Sequence, residues 1–179
     1  MPVQIGAKTH SFSEPTGLLS DCHRRIEMFL GSLQQVAALL DRPLEGGGRT
    51  ALDASLRYFR EAAPKHTADE EESLFPRLRK VNHPEVEAAI KMLDPLEKEH
   101  QHANALHSIV EQLGRKLLSE GILSPDDMRR FRESVAELAS IYKEHIRIED
   151  EVVFPVAGRL LAANDKAAIA EEMARRRKP

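Results

Sequence analysis

His145-Ile146-Arg147-Ile148-Glu149-Asp150-Glu151-Val152-Val153-Phe154-Pro155 decides the reading of this chain, because nearly the same stretch occurs earlier as His66-Thr67-Ala68-Asp69-Glu70-Glu71-Glu72-Ser73-Leu74-Phe75-Pro76. In each copy a His is followed four residues later by a Glu, and nine and ten residues later by Phe-Pro. The copies are offset by 79 residues throughout. On a helix, residues four apart share a face and lie about 5–6 Å apart, so each copy offers an imidazole and a carboxylate to one point in space. One such pair is commonly a solvated surface neighbour; two in matched contexts point to a shared ligand.

The 179 residues are 41% apolar and 31% charged, which suits one domain with a substantial core. Aromatic residues make up only 4%, with no Trp, and the abundant Ala, Leu, Glu and Arg favour an all-helical chain. A formal charge of −3 and the lack of a long basic face argue against a nucleic-acid partner, and the run Arg175 to Lys178 reads as a solvated helix end. The single cysteine, Cys22, excludes an internal disulfide and reads as an inert core thiol; the redox economy fits the cytoplasm. No stretch approaches the ~20 apolar residues of a membrane span, so no membrane partner is expected.

In chain order, residues 1–14 are polar and aperiodic and read as an N-terminal arm. Pro15 opens a helix whose apolar stripe runs from Leu19 to Leu40, with His23 beside it; Gly46 to Gly48 supply a flexible loop. Thr50 reads as the N-cap of a second helix reaching Leu78, kinked at Pro64. A third runs from about Val86 to the break at Gly121, bent at Pro95. Ser124-Pro125-Asp126-Asp127 is a strong start for the fourth. Asn164 caps a short last helix. The expectation is an all-α, up-down-up-down four-helix bundle over residues 15–162, with a short C-terminal helix and basic tail over 163–179.

His23 precedes His66 by 43 residues and His100 precedes His145 by 45, so the chain reads as a duplicated helix pair. Each half supplies one lone His and one His-x-x-x-Glu on core-facing stripes. Facing stripes bring His23, His66, Glu70, His100, His145 and Glu149 to one level of the bundle. Glu70 and Glu149 occupy slots whose pattern predicts burial, and no Lys or Arg shares the stripe near either. An isolated buried carboxylate costs many kcal/mol, so each must be paired, protonated or bound to a cation. Four imidazoles and two carboxylates are N/O donors of intermediate hardness, suited to two iron ions, with manganese, zinc or cobalt as alternatives. If both Glu bridge, each metal gains two His and two Glu oxygens, an oxide or hydroxide bridge is the fifth ligand, and one position stays open.

A His in helix one, His-x-x-x-Glu with Phe-Pro in helices two and four, and Glu99-His100 in helix three together resemble the hemerythrin-like, or HHE cation-binding, family over roughly residues 18–161. The resemblance implies a non-haem di-iron centre in a four-helix bundle with those six residues as ligands. Oxygen-carrying members supply a further His one turn from the helix-three ligand; here the corresponding neighbours of His100 are Leu96 and Asn104. The resemblance therefore points to sensing or binding of dioxygen, nitric oxide, iron or redox state rather than oxygen carriage. A redox enzyme handling peroxide, nitric oxide or damaged iron centres is the alternative, and a metal-stapled structural or storage protein the third. With no second cofactor motif and no output domain in view, a sensor is expected to signal through a protein partner.

Tyr142, one turn before His145, and His107, two turns after His100, are candidates to support the centre without ligating it, against the blander reading of core side chains with satisfied hydrogen bonds. Glu71, Glu72, Asp150 and Glu151 read as a solvated acidic face from which one residue per helix could orient a ligand His.

Overall fold

A computed structural model describes residues 10–178 of the chain. Among them every regular element is helical. The elements are α1 (Pro15–Ala38), α2 (Gly46–Glu61), α3 (Ala63–Ala68), α4 (Phe75–Leu78), α5 (Pro84–Glu120), α6 (Pro125–Ile148), α7 (Phe154–Leu160) and α8 (Ala163–Arg176). Two π-helical turns, Asp69–Leu74 and Glu149–Val153, join α3 to α4 and α6 to α7. No helix is long and apolar enough to cross a membrane among the described residues.

Much of this follows from local sequence. Pro15 and Pro125 sit at the first helical position, where a missing N–H costs nothing, and Ser124 Oγ accepts the Asp127 N–H at 3.2 Å. Gly121, at φ +81°, terminates α5 in a conformation that L side chains rarely adopt. Pro95 lies inside α5 without ending it.

Other expectations are corrected. Gly46 to Gly48 form the first turn of α2, and Thr50 is an interior residue whose hydroxyl donates to the Gly46 carbonyl at 2.9 Å. That hydroxyl is satisfied within the helix, which removes the reason to read it as a cap. The interruption expected at Pro64 is present, at Ala62, and it leaves the proline in the opening turn of α3, where it is tolerated. Asn164 lies within α8, which starts at Ala163 without a side-chain cap.

The arm expected over residues 1–14 lies mostly outside the described residues. Its end packs on α1: the His10 N–H donates to Asp21 Oδ2 at 2.8 Å, and the His10 ring occupies the space that a Cβ on Gly17 would need.

Packing divides the chain into two compact units. The first comprises Met1–Arg25, Pro64–Lys98 and Glu144–Pro179. Its core is built from Leu18, Leu19, Phe75, Leu93, Phe154 and Met173, among others. The second comprises Ile26–Ala63 and Glu99–Lys143. It buries Leu33, Leu52, Leu56, Phe131 and Leu138. Leu56 leaves no room for a Cβ at Gly114, which brings α5 close to α2.

Candidate metal centre

Both motif glutamates stand at the mouth of a π-helical turn, and the reason is the proline six residues after each. Pro76 and Pro155 have no N–H for the carbonyls of Glu72 and Glu151, and their rings exclude those oxygens from α-helical position. The preceding turn widens instead. Phe75 N–H bonds to the Glu70 carbonyl and Phe154 N–H to the Glu149 carbonyl, each five residues back. Phe-Pro is thus the sequence signal for the widened turn, and the widened turn carries the acid.

Within the first unit, His23 on α1, His66 on α3, and Glu70 and Glu149 on the two π turns converge: one donor atom from each lies within 4.8 Å of all the others. Both carboxylates are 0% exposed. His66 Nε2 approaches Glu70 Oε1 at 3.2 Å, and His145 Nε2 approaches Glu149 Oε1 at 3.3 Å. His23 Nε2 stands between the copies, 3.1 Å from Glu149 Oε2 and 3.8 Å from Glu70 Oε1. Five of the six expected ligands are therefore brought together in this unit. The sixth, His100, lies on α5 in the second unit, two residues past the division, at 7% exposure.

Without a cation the cluster keeps protons in its place. Burial, and next the neighbouring Glu149, push Glu70 up to about 8. Burial would raise Glu149 too, but His145 and His23 beside it hold it below its ordinary value. Burial depresses His23, yet Asp150, Glu149 and Glu70 together carry it well above 6.5. Both oxygens of Glu149 and Nε2 of His23 are buried atoms with no well-formed hydrogen bond. Convergent lone pairs of this kind fit a divalent cation of intermediate hardness.

The far side of His23 is built to hold its ring. Nδ1 donates to Asp150 Oδ1 at 2.9 Å, the same oxygen accepts from Ser20 Oγ at 2.8 Å, and Arg24 pairs with Oδ2. Phe154 stacks on the ring with centroids 5.2 Å apart. With Nδ1 committed to Asp150, Nε2 is the nitrogen that faces the cluster, and it would become a donor to a cation once that cation displaces its proton. Asp150 is thus the acidic residue that orients a His, one of the two foreseen. Ser20 and the stacking role of Phe154 carried no sequence signal of their own.

Tyr142 and His107 are partners of one another in the second unit, hydroxyl to Nε2 at 2.9 Å, with His107 stacked on Phe59 at 4.3 Å. Burial lowers His107 to about 4, so its ring is neutral at ordinary pH. Cys22 is buried, with Arg25 Nη2 3.1 Å from its sulfur.

The basic tail departs from expectation. Arg176 and Arg177 are not solvated: they reach Asp69, which is 0% exposed, at 2.9 Å and 2.6 Å on its two oxygens. Sequence reasoning missed Asp69, because its partners are more than 100 residues away.

The sequence profile of the hemerythrin HHE cation-binding domain matches residues 14–175. An uncharacterised protein of Haemophilus influenzae is 30% identical over 172 residues, covering 93% of this chain and 92% of that protein.

Proposed function

The chain belongs to the hemerythrin HHE cation-binding family, and on that premise we propose that it holds a non-haem dinuclear iron centre, ligated by His23, His66, Glu70, His100, His145 and Glu149, that binds a small ligand for sensing. The observation that carries this is the convergence of four donors within 4.8 Å around two wholly buried carboxylates. Six N/O donors match iron, with zinc or manganese as competitors. His100 completes the set as the helix-three counterpart of His23.

Bound there, iron would supply an exchangeable coordination position for a diatomic ligand such as dioxygen or nitric oxide. The chain's own contribution is to exclude water from both carboxylates, to fix the His23 tautomer through Asp150, and to hold the ring against Phe154. Binding for sensing is favoured over oxygen carriage because the positions flanking His100 on its face are buried Leu96 and exposed Asn104, neither a ligand.

The test is the electronic spectrum of protein purified in air. An oxo-bridged diferric chromophore that bleaches on reduction and changes with nitric oxide supports the reading. A colourless protein stoichiometrically loaded with zinc overturns it.

A further inference from the structure

We propose that Arg176 and Arg177, at the C-terminal end of α8, are positioning residues for the metal centre: by clamping buried Asp69 they hold the first π turn in the register that aims Glu70 at the metal. The inference rests on the metal reading above and extends it to residues outside the ligand set.

Asp69 immediately precedes Glu70, and both side chains are 0% exposed. A carboxylate so buried must be neutralised by partners of good geometry. Arg176 Nη1 donates to Asp69 Oδ1 at 2.9 Å and Arg177 Nη2 to Oδ2 at 2.6 Å, so each oxygen has its own guanidinium. Arg176 Nη1 also meets Ser73 Oγ at 2.9 Å, and its Nη2 meets Glu72 Oε2 at 3.0 Å. One guanidinium therefore grips the turn on both sides of Glu70. A second tie lies just beyond: Arg77 pairs with Glu172 of α8 at 2.7 and 3.0 Å, and also bonds the Ser73 carbonyl at 2.9 Å. Met173 of α8 is itself fully buried, which anchors the helix that carries the clamp.

These ties converge on a backbone that needs them. A π turn has poorer hydrogen-bond geometry than the α-helix it interrupts, and relaxation toward α geometry would rotate the residues after the insertion by about 100°. Among the described residues the second copy is tied differently, through Asp150 to Ser20, His23 and Arg24 of α1, and no arginine holds the residue before its glutamate. The residue before Glu149 is Ile148, and the residues matching Ser73 and Arg77 are Val152 and Val156.

The experiment loads the full-length chain anaerobically with ferrous iron and follows transfer to a coloured ferrous chelator, with circular dichroism and thermal melting alongside. Arg176→Gln/Arg177→Gln should remain helical yet release iron at least about tenfold faster than wild type, the scale of losing a residue that orients a ligand. Arg176→Lys/Arg177→Lys, which keeps the charges, should move the rate back toward wild type. If the Gln pair does not fold, Asp69→Ile, which removes the buried charge together with the clamp, should fold and release iron equally fast. A lower melting point with an unchanged release rate would mean that the arginines only dock α8, and would overturn the proposal. Failure of the wild type to bind iron would instead overturn the metal reading, and the clamp with it.

Discussion

In the first copy of the motif the residue before the buried glutamate is an aspartate gripped by Arg176 and Arg177 at the end of α8; in the second it is Ile148, and the polar support has moved to Asp150, which holds His23 on α1. Facing inward, the copies match: a His, a Glu four residues on at 3.2 or 3.3 Å, a π turn and a Phe-Pro. Facing outward each turn holds an arginine-paired aspartate, but at a different position and from a different helix. The lesson is that the cation constrains only the donors that converge on it, whereas each turn has been stabilised by whatever neighbour lies behind it.

The largest effect expected tests the inward match. Glu70→Ala and Glu149→Ala should each abolish binding of the metal pair, as metal analysis would report. Because the offending carboxylate departs with the metal, destabilisation should stay below that of a bare buried charge. Full metal in either variant would break the equivalence of the copies.

His107 supplies a half-buried histidine away from the carboxylates, and so a control on the environment of His23. Its folded value of about 4 lies below the 6.5 of an unfolded chain. Between those values the unfolded state binds more protons, so stability falls as the pH drops from about 6.5 to 4, by roughly 3 kcal/mol from this group alone. Denaturant titrations against pH should show that slope in wild type and a flatter one in His107→Leu.

Asp150→Asn leaves the shape of the second copy's support but removes its charge. Metal affinity should fall about 10- to 100-fold, read by competition with a chelator. Ser20→Ala, which removes one hydrogen bond to the same carboxylate, should cost less. The smallest effect sharpens the contrast between the turns. Pro155→Ala restores an N–H and lets the second π turn relax, so metal release should quicken by a few-fold. Pro76→Ala should do less, because the clamp at Asp69 persists; equal effects would argue that the clamp is idle.

How much of this was legible in the sequence follows from range. The duplication, the i to i+4 pairs and the helix starts at Pro15 and Pro125 are local patterns, and the structure buries all six expected ligands. The all-α class and the four-helix bundle with its extra C-terminal helix follow from the same periodicity and the family match. The π turns were within reach, since Phe-Pro after each Glu was visible, but a proline says that an α turn fails without saying what replaces it. The clamp was out of reach. Nothing near Asp69 distinguishes it from its acidic neighbours, and a run of arginines at a chain end looks the same whether docked or solvated. Gly46 to Gly48 misled because glycine weakens a helix only modestly, about 1 kcal/mol per residue against alanine, and the packing of α2 through Leu52, Leu56 and Phe59 outweighs it.

The central claim is that Glu70 and Glu149 are drawn out of water by a shared pair of cations. Anaerobic titration of the metal-free protein with ferrous iron, followed by Mössbauer spectroscopy, tests it most directly. The account predicts two iron ions per chain in N/O coordination, and none in the Glu70→Ala/Glu149→Ala protein. Iron retained in that double variant, or no iron bound by the wild type, would contradict it.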